Sequence, residues 1–173
     1  MKQLILGGAR SGKSRLAEEL TAQYGDNIAY VATTDRRFND AEMDDRIAHH
    51  QRQRPAHWHT IETPTELSEQ LLRAHHYDCM MVDCLTLWLT NCLINDDVIW
   101  SQKKQDFLHS LEISHGNIVL VANEVGMGVV PMDPLSRRFV DESGFLHQAT
   151  ANVCDRVVFT AAGLPLVMKG TPL

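Results

Sequence analysis

One stretch, GGARSGKS at residues 7–14, restricts what this chain can fold into more than any other. It matches G-x-x-x-x-G-K-[ST], with an apolar run, LILG, leading in and an amphipathic segment, KSRLAEEL, leading out. Glycines let the backbone curl so that its N–H groups point inward at phosphate oxygens, and the helix start adds partial positive charge. Gly7, Gly8, Ala9, Arg10, Ser11, Gly12, Lys13 and Ser14 are therefore the candidate phosphate-binding residues. Lys13 is placed to reach the β- and γ-phosphates, and Ser14 to ligate Mg²⁺.

The rest of the chain keeps the strand-to-helix rhythm that such a loop needs. Apolar runs predict strands at Gln3–Leu6, Ile28–Ala32, His57–Ile61, Met80–Asp83, Ile118–Ala122, Val157–Thr160 and Leu166–Met168. Several are continuous, as in strands buried on both faces. Helices are expected at Lys13–Tyr24, Ala41–Gln53, Pro64–His75, Asp97–Ser114 and Pro134–Cys154. Pro64 reads as a first-turn proline and Gly25 as a helix stop. The alternation implies an α/β fold, a mainly parallel sheet with helices on both faces. No repeat or linker divides residues 1–173, so a single nucleotide-binding domain is expected. CMMVDC puts Asp83 at a strand end, where a carboxylate can help hold the metal; the alternative there is a cap or turn residue.

Net charge is −6, from 16 basic and 22 acidic residues, which argues against a nucleic-acid-binding face. Any anion site must be local. The four cysteines show no C-x-x-C spacing, so buried free thiols and a reducing compartment are expected. The N-terminal apolar run is too short for a signal peptide or a membrane span, and the expected location is cytoplasmic.

The densest cationic cluster is RIAHHQRQRP, residues 46–55. On a helix, Arg46, His50 and Arg54 share one stripe, while His49 points about 100° away. Positive neighbours keep a histidine neutral and nucleophilic near pH 7, and guanidiniums grip phosphate bidentately. Such an imidazole can attack phosphorus and form a covalent intermediate. The same spacing also suits a solvated, charged helix face. NEVGMGVVP, residues 123–131, follows a buried strand and places Glu124 at its end, as a substrate contact, a base or part of a structural turn. Glu62 ends HWHTIE, where an acidic residue can receive ribose hydroxyls.

Taken together and in this order, GGARSGKS, RIAHHQRQRP followed by HW, VDCLTLWLTN and NEVGMGVVP closely resemble one family. It is the bifunctional adenosylcobinamide kinase / adenosylcobinamide-phosphate guanylyltransferase family. The resemblance covers nearly the whole chain. It implies a RecA-like P-loop fold and a homotrimer, with ATP or GTP phosphorylating adenosylcobinamide. GMP then passes from GTP, through a histidine–GMP intermediate, to adenosylcobinamide-phosphate. The family histidine falls on His50. The resemblance also implies GTP contacts at residues 7–14, at Ala32, Thr33 and Thr34, at Gln51, Arg52, Gln53 and Arg54, at Glu62 and at Asp83. Arg46 and Glu124 are candidate substrate contacts, and Ser14 and Asp83 candidate Mg²⁺ ligands. Two positions depart from the pattern: His147 stands where asparagine is commoner, and Asp83 where some members carry glutamate. Rival readings are a simple P-loop kinase and a non-catalytic GTP-binding switch; neither needs a histidine between arginines.

The remaining histidines read as structural. His57 and His59 are expected on one face of a strand, with no third metal ligand in view. His75 and His76 suit a helix end. Leu87, Trp88, Leu108 and Leu111 look like core or interface residues.

Overall fold

The computed structural model describes residues 1–35, 55–95 and 97–173. The predicted helix Ala41–Gln53, with Arg46 and His50, lies outside the described residues, as do Gln51, Arg52 and Arg54.

The chain runs β1 (Lys2–Gly7), α1 (Lys13–Ala22), β2 (Ile28–Ala32), β3 (His59–Glu62), α2 (Leu67–Leu71), a 3₁₀ turn (Ala74–His76), β4 (Cys79–Asp83), α3 (Leu85–Asn95), α4 (Asp97–Ile113), β5 (Ile118–Asn123), α5 (Pro134–Val153), β6 (Arg156–Ala161) and β7 (Leu164–Lys169). The strands form one seven-stranded sheet in the order β3-β2-β4-β5-β1-β6-β7. Every pairing is parallel except that of β6 with β7. The expected α/β class, a mostly parallel sheet between helices, is what forms.

Continuous apolar strands follow from this layering, because both faces of the sheet are covered. Leu4, Leu6, Val31, Met80, Val82 and Leu120 face a core shared with α2, α3, α4 and α5. Ile5, Ile28, Tyr30, Met81, Val119 and Val121 face α1 and Trp58. The four cysteines are free and buried, as expected. Burial pushes their thiols up, to about 12 at Cys79 and Cys154 and about 11 at Cys84 and Cys92. No helix among the described residues is long and apolar enough to cross a membrane.

Several expected elements form differently. The helix expected over Pro64–His75 is reduced to α2 and a separate 3₁₀ turn. Its intended first turn is taken elsewhere: Asn91 Nδ2 donates to the Pro64 carbonyl at 3.0 Å and Trp88 Nε1 to the Thr65 carbonyl at 3.0 Å. Those carbonyls would otherwise have accepted the first helical hydrogen bonds. The strand expected from His57 starts at His59, because Trp58 N–H closes a turn onto the Pro55 carbonyl. His57 and His59 therefore do not share a strand face: His57 lies 4.0 Å from Asp26, and His59 sits against Tyr77. Helix α3 goes unread in the sequence because it is apolar nearly all round. Leu85, Trp88, Leu89, Cys92 and Leu93 are all buried, and Thr86 and Asn91 with them. It lacks the polar stripe by which surface helices are recognised.

Candidate nucleotide and substrate site

The loop after β1 has the backbone that its glycines anticipate. Gly12 sits at φ +94°, the left-handed region that favours glycine, and caps α1. At Gly7 there is no room for a side chain: a Cβ would lie 2.5 Å from both Ser11 Oγ and the Thr160 carbonyl. Ser11 N–H donates to the Gly8 carbonyl at 3.3 Å, and Leu16 N–H to the Gly12 carbonyl at 3.0 Å. Lys13 is buried, with Nζ 3.1 Å from the Gly8 carbonyl, so its ammonium lies inside the loop. Ser14 opens the first turn of α1, beside it. A neighbour that the sequence did not signal braces this loop. The turn between β6 and β7 brings Gly163 N–H to the Ser11 carbonyl at 2.9 Å. The turn residues Ala162 and Gly163 both have positive φ, at 52° and 77°.

Parallel pairing brings the other candidates to the same edge of the sheet. Gly7 is level with Asn123 of β5, and Asp83 of β4 with Val121. One strand, β5, thus stands between the loop strand and the strand carrying Asp83. Tyr30 Oη donates to Asp83 Oδ2 at 2.7 Å, which fixes the carboxylate on the α1 side of the sheet. Ala32 and Glu62 are level with each other at the ends of β2 and β3. Thr33 is fully buried, and its hydroxyl ties two strand ends: it donates to the Cys84 carbonyl at 2.7 Å and accepts from Cys84 N–H at 2.9 Å. Asn91 Nδ2 holds the Thr33 carbonyl at 2.7 Å. Ala32 and Thr34, half-buried on either side, are the more accessible members of that trio.

A hydroxyl at Ser14 and a carboxylate at Asp83 are the hard oxygen donors that Mg²⁺ prefers, and Mg²⁺ usually completes its shell with phosphate and water. Among the described residues there is no cluster of three or more His, Cys, Asp or Glu that would make a metal cage.

Glu124 is the first residue beyond β5. Its N–H donates to the Gly7 carbonyl at 3.0 Å, and its Oε1 accepts from Gly126 N–H at 2.6 Å. Its Oε2 lies 3.6 Å from Nδ1 of His147 on α5. His147 is buried, with Nε2 3.5 Å from Ser143 Oγ. Burial pushes its pKa down, against the upward pull of Glu124. The sequence flagged His147 only as a departure; its position beside Glu124 comes from the packing of α5.

A glycine-lined phosphate loop with an inward lysine, at the carboxyl edge of a parallel sheet, defines a P-loop nucleotide-binding protein. Solved structures agree at the level of fold. An ATPase of the type III secretion system of pathogenic bacteria superposes over 91% of this chain and 50% of its own, with a TM-score of 0.51 at 14% identity. Within that class, the chain belongs to the cobinamide kinase / cobinamide phosphate guanyltransferase family, whose model matches residues 3–168. It is 53% identical over 175 residues to the bifunctional adenosylcobalamin biosynthesis protein CobP of Pseudomonas aeruginosa, covering 100% of both chains. It is 36% identical over 185 residues to the bifunctional adenosylcobalamin biosynthesis protein CobU of Salmonella typhimurium, covering 98% of this chain and 100% of that one.

Proposed function

We propose that this chain carries out both reactions at the single phosphate loop after β1, with His50 as the covalent carrier of GMP. The bifunctional kinase and guanylyltransferase activity is that of its family. In the first reaction the hydroxyl of adenosylcobinamide attacks the γ-phosphorus of ATP or GTP, and the nucleoside diphosphate leaves. In the second, the His50 imidazole attacks the α-phosphorus of GTP and pyrophosphate leaves. The phosphate of adenosylcobinamide-phosphate then displaces the imidazole, giving adenosylcobinamide-GDP.

The observation that carries this reading is the loop itself: Lys13 Nζ lies within it, 3.1 Å from the Gly8 carbonyl, and the loop packs so closely at Gly7 that no side chain fits there. One triphosphate held there presents two phosphorus atoms to two nucleophiles. Lys13 supplies a point charge for the developing charge on the γ-phosphate and for departing pyrophosphate. Gly7, Gly8, Ala9, Arg10, Ser11 and Gly12 would cradle the phosphates; Ala32, Thr34, Glu62 and Gln51 through Arg54 would hold the remainder of the nucleotide. Ser14 and Asp83 would hold Mg²⁺, which would spread the phosphate charge. Arg46 and Arg54, with His50 between them in the sequence, would keep that imidazole neutral and grip phosphate. Residues 1–173 act as one domain in this reading. The free, buried thiols favour a cytoplasmic setting, and the family resemblance favours a trimer.

Intact mass after incubation with GTP and Mg²⁺ tests it. A GMP increment is expected on wild type and on His49→Ala, and none on His50→Ala. An increment retained by His50→Ala rejects the assignment and leaves an ordinary kinase.

A further inference from the structure

We infer that Glu124 is the base for the kinase step, held in place by His147 as a positioning residue. This rests on the kinase reading above and names the group that would complete it. An aliphatic hydroxyl attacks phosphorus poorly unless its proton is removed as the new O–P bond forms, and a placed carboxylate contributes about 10²–10⁴-fold to such a step.

Glu124 has the location for this. Its N–H is bonded to the Gly7 carbonyl, and Lys13 Nζ to the carbonyl of the next residue, Gly8. Carboxylate-bearing chain and ammonium are thus tied to neighbouring peptides of one loop, where the terminal phosphates of a nucleotide would lie. The carboxylate is also aimed. Gly126 N–H fixes Oε1 at 2.6 Å, while Oε2 lies 3.6 Å from His147 Nδ1. The Glu124 side chain is 22% exposed, so it is walled by α5 on one side and reachable from outside on another.

His147 explains how the carboxylate stays oriented. Its Nδ1 is buried with no hydrogen bond among the described residues. That atom faces Glu124 at 3.6 Å, so a closure of under about 1 Å makes an Nδ1–H donor bond to Oε2. Ser143 Oγ lies on the far side of the ring, next to Nε2, and suits the tautomer with hydrogen on Nδ1. A neutral imidazole orients the carboxylate without cancelling its charge.

The step balances. The substrate hydroxyl gives its proton to Glu124 as its oxygen bonds to the γ-phosphorus. The bond from that phosphorus to the bridging oxygen breaks, and the nucleoside diphosphate leaves with the electron pair. Glu124 then returns the proton to water. The guanylyl transfer needs no such base, since a neutral imidazole and then a phosphate monoester are its nucleophiles. Glu124 therefore divides the two activities.

The test uses the full-length chain and three assays: cobinamide phosphorylation, nucleotide affinity, and GMP labelling of the protein by GTP alone. For Glu124→Gln, kinase kcat should fall about 100-fold or more, with nucleotide affinity and labelling close to wild type. Glu124→Asp should recover part of the loss. His147→Ala should lower kinase kcat about tenfold, and His147→Asn, which keeps a donor, should recover it. Kinase kcat for Glu124→Gln within about threefold of wild type overturns the proposal. So does a raised KM for cobinamide with kcat preserved, which makes Glu124 a substrate contact. A parallel loss of labelling and kinase overturns it too, because Glu124 would then be only a prop for the loop. Wild type that labels but phosphorylates no cobinamide overturns the kinase reading itself, and this inference with it.

Discussion

At Gly7 and Gly12 the loop needs glycine for two different reasons. One would drive a Cβ into the Thr160 carbonyl, and the other holds a left-handed φ at the start of α1. The lysine that follows points inside, with Nζ on the Gly8 carbonyl. Removing it should empty the loop of its point charge. Lys13→Ala is expected to lower kinase kcat/KM by about 10²-fold or more, measured with saturating cobinamide and varied nucleotide. Kinase activity near wild type would remove Lys13 from the phosphate site. Thr33 is the contrasting residue. The family resemblance placed it among nucleotide contacts, but which of its atoms are spoken for depends on β4 and α3, more than fifty residues away.

At the scale of elements, α3 and α4 show how helices without a clear stripe are held. Trp88 meets Trp100 edge to face, with centroids 5.3 Å apart, and lies 5.0 Å from Phe107. Aromatic pairs of this kind add about 0.5–1.5 kcal/mol beyond area burial. The outer side of α4 is locked to α5 through Glu142, whose Oε2 accepts from Trp100 Nε1 and from Lys104 Nζ, each at 2.8 Å. Burial alone would raise the Glu142 pKa; these two donors outweigh it, and the folded value lies below the ordinary 4.5. A depressed carboxylate adds stability that is present above the unfolded pKa and is lost as pH falls through the folded one. Glu142→Gln is therefore expected to cost about 1 kcal/mol in urea unfolding at pH 7, with the difference from wild type fading below about pH 4. An equal cost at pH 3 and pH 7 would contradict the ion pair's part in this.

Across the whole molecule, the edge of the sheet at β7 is antiparallel and presents Leu164, Leu166 and Met168, each more than half exposed. A second apolar strip, Met127, Val129, Val130 and Met132, follows Glu124. Surfaces of this kind are usually covered in an assembly or by a large ligand. If the trimer is right, sedimentation equilibrium should give three chain masses, and Leu166→Glu or Val129→Glu should identify which strip is the seam. A single chain mass at micromolar concentration would reject the trimer.

The sequence by itself determined the phosphate loop, the alternation of strands and helices, and the buried thiols. Each of these is a local property: a backbone that needs glycine, an apolar run, an absence of paired cysteines. Motifs in order also sufficed to place the chain in its family. Only the tertiary structure decided that α3 is a buried helix, that the β6–β7 turn braces Ser11, and that His147 stands beside Glu124. Those facts depend on which elements the sheet order makes neighbours. Residues 23 positions apart here, or more than a hundred in the case of Ser11 and Gly163, are joined only when β1 lies between β5 and β6 and the helices close over them.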